Sequence, residues 1–282
     1  MKPDLGRIEA PQPASGAGER DATTAVSVVA IAAMCMGLGS SLGFMPGFIA
    51  TALRDDLDIS RGEVGLLVSV YFGCTGIGSV MGGRMTDRLG ARAVVVIDMA
   101  AVAAAAVVSA AVGTYWSLLV AAVIGGTAYA LVNAGTNVAI ARSVPQQRRT
   151  LAMSIKTAGV PLMAAIADAL GPVSANRWSW QHISAAIAVF AVLGGIGAAL
   201  VLADDRPDRS ATQPSRHLPA GFLWFPIGAF LLIAGSQPLY SWVVPYLEQS
   251  LDASPGVAGG ISSAASAAGV GIMVLNGLRT DR

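Results

Sequence analysis

With 282 residues, 54% of them hydrophobic and only 12% charged, the chain holds about half the charge of a soluble globular domain. Its formal net charge of +1 supplies no basic excess for nucleic acid, and two cysteines imply neither a disulfide framework nor a metal centre. A membrane-embedded chain is what this composition leaves, and the placement of each charge then carries the information.

Residues 1–24, "MKPDLGRIEAPQPASGAGERDATT", are rich in Pro, Gly, Ala and charge and read as a disordered tail. They are no signal peptide, because the apolar run that follows is far longer than a secretory h-region. Charge-free runs then occupy 22–53, 64–83, 99–141, 178–203, 218–247 and 253–278, and a further run, 157–176, is broken only by Asp168. About 20 apolar residues cross a bilayer as a helix, so each run is long enough. The 99–141 run contains Gly113-Thr114-Tyr115-Trp116, a turn with interfacial aromatics, and divides into two spans. Eight transmembrane helices result. Period-2 alternation is absent and the runs are rich in Ala, Gly, Val and Leu, which argues against strands. Cys35 and Cys74 fall inside apolar runs and read as small core residues.

Assigning alternate loops to opposite sides puts fifteen Lys and Arg on one side and only Arg54, Arg61 and Arg177 on the other. The basic side is expected to be cytoplasmic, with both termini inside and the chain in the inner (plasma) membrane.

A repeat runs through the chain at one fixed offset. "LRDDLDISRGEVG" (53–65) aligns with "LEQSLDASPGVAG" (247–259), and the register continues without a gap to "GRMTDR" (83–88) and "GLRTDR" (277–282). Two parallel halves that each open with the same helix pair are one way to build a transporter.

The segment Gly83-x-Met85-Thr86-Asp87-Arg88-x-Gly90-x-Arg92 lies between the second and third spans. It resembles the loop signature of the major facilitator superfamily, with Ala91 standing where a basic residue is common. The resemblance implies an all-α membrane protein of major-facilitator type: a six-helix bundle over 25–203, a cytoplasmic linker over 204–218, and the first two helices of a second bundle over 219–282. It also implies that the signature loop, Gly83, Asp87, Arg88, Gly90 and Arg92 with the repeated Asp281 and Arg282, braces one bundle against the other. The alternative is a short, solvated, positive-inside turn. Signatures of proton-coupled drug antiporters are weak, since the fourth span lacks an embedded arginine and Gly171-Pro172 has no following glycine pair. Members of the family resemble two six-helix bundles, so the sequence reads as a carrier truncated after its eighth helix. Such a chain is expected to self-associate or to need a missing C-terminal half. Gly259, Gly260, Gly269 and Gly271 of the last span suit close helix contacts.

Ionisable residues inside the membrane are the first candidates for function. Lys156 lies two turns into the fifth span, near Pro161, and either binds an anionic solute or snorkels to the interface beside Arg148 and Arg149. Asn133 and Asn137 stand one turn apart, lining a cavity or hydrogen-bonding between helices. Gln237 and Tyr240 share a face of a seventh span interrupted by Pro226, Pro238 and Pro245. Asp98 is expected to pair with Arg92 or a neighbouring loop, and Asp168 to face a wet cavity or the outer interface. In the first span Gly39, Gly43 and Gly47 read as packing residues.

The expected function is transport of a small solute, an organic or inorganic anion, with a coupling proton as a further partner and the lipid as the surrounding medium. No cofactor is implied. His182 and His217 are the only histidines, and no nucleophile or metal-ligand set appears, so an enzyme is not expected. A truncated, non-transporting membrane protein is the other reading.

Overall fold

In lipid a lone segment satisfies its backbone N–H and C=O groups only by closing them on itself as a helix, and each apolar run does so here. The computed structural model describes residues 15–177, 179–204, 221–222 and 224–281; within its helices the side chains of 15–23, 171–177, 225, 229 and 236–241 are not described. The linker beyond Asp204 and residues 1–14 of the tail lie outside the described residues.

The elements are α1 (Ser15–Phe48), a short α2 (Ala50–Leu57), α3 (Arg61–Leu89), α4 (Ala91–Val112), α5 (Tyr115–Ser143), a single 3-10 turn at Gln146–Arg148, α6 (Arg149–Arg177), α7 (Trp180–Val201), α8 (Trp224–Ser250) and α9 (Pro255–Thr280). The eight predicted spans correspond to α1 and α3 to α9. Seven of them are long and apolar enough to cross a membrane, and α8 contains the apolar stretch Pro226–Gly235.

Local chemistry sets the breaks. Gly113 closes α4 in the left-handed region (φ 63°), and Thr114 opens α5 with a reciprocal cap to Ser117. Ser60 opens α3 in the same way with Glu63. Two features differ from the sequence reading. The helix α1 begins at Ser15, inside the segment expected to be a tail, where Ala17, Glu19 and Arg20 are good helix formers. The loop between the first two spans contains α2, whose Ala50 and Leu53 are buried while its charged residues face outward.

The sequence repeat is visible in the backbone. Asp58 and Asp252, equivalent in the repeat, both take left-handed φ values, 52° and 51°. Two residues later Ser60 and Ser254 stand at the N-caps of α3 and α9. Aspartate tolerates this conformation better than most side chains, which explains why both copies keep it.

Packing among the helices is most extensive between α6 and α9, α3 and α5, and α4 and α7. Backbones meet where glycine removes the side chain. A Cβ added at Gly159 of α6 would lie 2.1 Å from the Ala33 carbonyl oxygen of α1, and one at Gly126 of α5 would lie 2.2 Å from that of Tyr71 on α3. Of the α9 glycines expected to make close contacts, Gly259 is buried, but nothing lies within 4 Å of a Cβ built at Gly260, Gly269 or Gly271. The close approach is made instead at Gly277, where a Cβ would meet the Ser154 side chain at 2.9 Å and Leu151 Cα at 3.0 Å. Cys35 is buried, Cys74 is half-buried, and both are free thiols.

Candidate solute-binding site

Lys156 is only 3% exposed. Its Nζ donates hydrogen bonds to Asn133 Oδ1 and Asn137 Oδ1 of α5, each at 2.7 Å. The ammonium therefore does not snorkel to the interface. Three residues picked from separate parts of the sequence meet across the α5–α6 contact. Lysine has only donors, so the pairing fixes both amides: the carbonyl oxygens turn toward Nζ and the NH2 groups turn away. Asn133 and Asn137 are themselves exposed. The result is a buried positive charge screened by two amides whose outward side offers only N–H donors, an arrangement suited to an anion's acceptor oxygens.

Asp98 departs from expectation. It is fully buried on α4, and neither carboxylate oxygen has a hydrogen-bond partner among the described residues. No pairing with Arg92 forms. Six residues on a helix turn through about 600°, which leaves the two side chains some 120° apart around α4 and about 9 Å apart along it. A Cβ at Gly39 would lie 3.2 Å from Tyr129 Cδ2 and 3.7 Å from Asp98 Oδ2, so α1, α4 and α5 meet around this carboxyl. The Tyr71 hydroxyl donates to the Gly39 carbonyl, and the Tyr71 and Tyr129 rings are 6.0 Å apart.

Asp168 is also buried rather than wet. Its Oδ2 accepts from Ser262 Oγ of α9 at 2.6 Å, while Oδ1 has no partner among the described residues. The same two helices join again at their other ends, where the Asp281 carboxylate accepts from the Leu151 backbone N–H at 2.8 Å. An acceptor placed on the first turn of α6 takes up a donor that the helix itself leaves free. In the first copy of the repeat, Asp87 and Arg88 are exposed at the end of α3, Gly90 makes the turn with φ 86°, Arg92 is half-buried, and Gly83 stands in open space.

Other contacts between the first six spans and the last two had no sequence signal of their own. Thr51 Oγ1 donates to Glu248 Oε2 at 2.6 Å, and Gln249 Nε2 donates to Thr51 Oγ1 at 3.4 Å. Ser262 and Ser266, one turn apart and both buried, were legible only as small residues of an apolar helix. Gln237 and Tyr240 fall in helix α8, but their side chains lie outside what is described, as does Arg282.

The gentisate transporter of Corynebacterium glutamicum is 22% identical to this chain over 219 residues, 72% of this chain and 49% of that one. The chain thus spans about half the length of that relative. The crystal structure of D-xylose-proton symporter matches with a TM-score of 0.64 at 15% identity, over 91% of this chain and 69% of that chain, a likeness of fold. A family model described as Major Facilitator Superfamily matches residues 29–282, nearly all of the membrane-embedded sequence, and on that extent the chain belongs to the Major Facilitator Superfamily.

Proposed function

We propose that this chain works as a secondary carrier rather than an enzyme, and that it moves a small organic or inorganic anion. One observation carries the reading: a lysine buried within the span is held by two amides whose exposed side presents donors alone. An intramembrane cation with neutral partners keeps its charge available, whereas a structural ion pair would have spent it on a carboxylate. The similarity to a gentisate transporter supports the substrate class, since gentisate is a carboxylate. In this reading the basic end faces the cytoplasm and both termini are inside, in keeping with the fourteen-to-three division of Lys and Arg that remains once Lys156 is set aside within its span. The first six spans and the last two belong to separate bundles that rock about a solute between them, and the signature loops, with Asp87, Arg88 and Asp281, brace those bundles at the basic end.

Anion binding to the purified chain in lipid nanodiscs tests the site. Gentisate and a panel of simple carboxylates and inorganic anions serve as ligands in calorimetric titrations. Lys156→Ala is expected to abolish binding, and Lys156→Arg to weaken it about tenfold or more, because the planar guanidinium does not fit a site shaped for a compact ammonium. Unchanged affinity in Lys156→Ala would return the lysine to a purely structural role.

A further inference from the structure

We propose that the cavity at the basic end of the α1–α6 contact binds one anionic phospholipid, with its phosphate on Arg148 and Arg149 and an acyl chain along the apolar floor. The cavity has a volume of about 890 Å³. Val26, Val29 and Ala30 of α1 and Ala152 and Ile155 of α6 supply its apolar lining. Arg142, Arg148 and Arg149, all exposed, stand at its rim. None of the described residues that line it is acidic. The site is separate from the Lys156 cluster and does not depend on which solute that cluster takes. Ile155 and Lys156 are neighbours in sequence, so they point about 100° apart around α6.

The face that carries this cavity is one the bundle leaves uncovered. Leu162, Ile166 and Leu170 follow one another at intervals of four along α6, and all three are exposed. Ile155 stands seven residues before Leu162, on the same stripe. On α1, Val26 is 69% exposed, and Ala30, one turn further on, is exposed too. Within a span, apolar side chains that no helix covers meet acyl chains. The charges fix the depth. Arg142 lies in the last turn of α5, and Arg148 and Arg149 stand where α6 begins, so all three mark the ends of apolar spans. A phospholipid is divided in the same way, with phosphate at that level and hydrocarbon beneath it.

Charge complementarity selects the head group. The Arg149 Nε donates to the Val144 carbonyl at 3.0 Å, which fixes the guanidinium and leaves its two terminal NH2 groups as further donors. Among the described residues no carboxylate pairs with Arg148 or Arg149. Asp281, the carboxylate at this end of α6, is taken up by the Leu151 N–H. Two planar guanidinium groups at phosphate depth match the oxygens of a phosphate in pairs. A zwitterionic lipid would bring its own ammonium toward the same cations, so the preference is for a head group of net negative charge. Free phosphate offers the same oxygens but leaves Val26 and Ala30 uncovered. The apolar floor is what commits the site to a lipid.

Native mass spectrometry of the full chain, delipidated in detergent and then given dioleoyl phosphatidylglycerol or dioleoyl phosphatidylcholine, tests the site. One phosphatidylglycerol should be retained about fivefold better than phosphatidylcholine or more, and inorganic phosphate at millimolar concentration should not displace it. Arg148→Gln should weaken that retention about fivefold, the usual contribution of one basic residue at an anionic membrane surface. Arg148 is exposed and its side chain makes no bond among the described residues, so this variant should fold as the native chain does. Ala30→Phe fills the floor while every charge stays in place, and it should weaken retention as well. Arg61→Gln, at the opposite end of the molecule, should change nothing. Equal retention of the two lipids, displacement by phosphate, or retention unmoved by Arg148→Gln or by Ala30→Phe would each overturn the proposal.

Discussion

At the scale of single residues, the Lys156 cluster is a case where types were legible and partners were not. A lone lysine in an apolar run and two asparagines one turn apart are visible in the sequence, but nothing in it says that α5 and α6 bring them within 2.7 Å. Hydrogen bonds to a charged group contribute about 1.5–3 kcal/mol each. Asn137→Ala should therefore lower stability by about that amount, because an ammonium is left buried with half its acceptors. Lys156→Met removes the charge with its need for partners and should cost less, within about 1 kcal/mol. In the Lys156→Met background the cost of Asn137→Ala should largely vanish. Unfolding in mixed micelles titrated with denaturing detergent measures all three, and additive losses would show that the residues do not act as a unit. Asp98 was misread for a geometric reason. Proximity in sequence suggested Arg92 as its partner, whereas helical rotation separates the two and tertiary packing closes over the acid.

Among the helices, existence and approximate ends were plain in the sequence, because a bilayer demands long uncharged runs and charges mark where they stop. The face that each helix presents was not. Small-residue spacing singled out four glycines of α9; Gly259 is buried, yet the other three stand in open space and the tight approach falls on Gly277. Glycine composition alone does not tell a packing surface from an exposed one, since the distinction depends on which neighbour arrives. That distinction makes a prediction. At Gly159 and Gly126 an added side chain would run into backbone atoms of α1 and α3, which do not move without the whole helix. Gly159→Val and Gly126→Val should each destabilise the chain by roughly 1–3 kcal/mol or more. Gly260→Ala and Gly271→Ala should stay within about 0.5 kcal/mol of the native chain, with any change favourable through helix propensity. The reverse order in the same micelle titration would mean that α9 packs through those glycines after all.

For the molecule as a whole, the described conformation ties the first six spans to the last two at both faces. Asp281 meets Leu151 at the basic end, and Thr51 meets Glu248 at the other. In the orientation proposed above, which face is which follows from charge: arginine and lysine are translocated reluctantly, and with Lys156 inside its span, fourteen of the other seventeen fall on one side when alternate loops are assigned to opposite faces. The opposite end carries Asp55, Asp56 and Asp58 on and just after α2, with Asp56 accepting from the Trp180 indole N–H at 2.7 Å. A single cysteine at either end reports the orientation. Asp55 and Arg148 are both exposed and each lies outside the apolar core of its helix, so neither change disturbs packing. Cys35 is buried and unreactive, and Cys74→Ala removes the half-buried thiol. In intact cells a membrane-impermeant maleimide should label Asp55→Cys and spare Arg148→Cys until the membrane is opened. Labelling of Arg148→Cys alone in intact cells would invert the molecule and place the Asp281–Leu151 tie on the outer face.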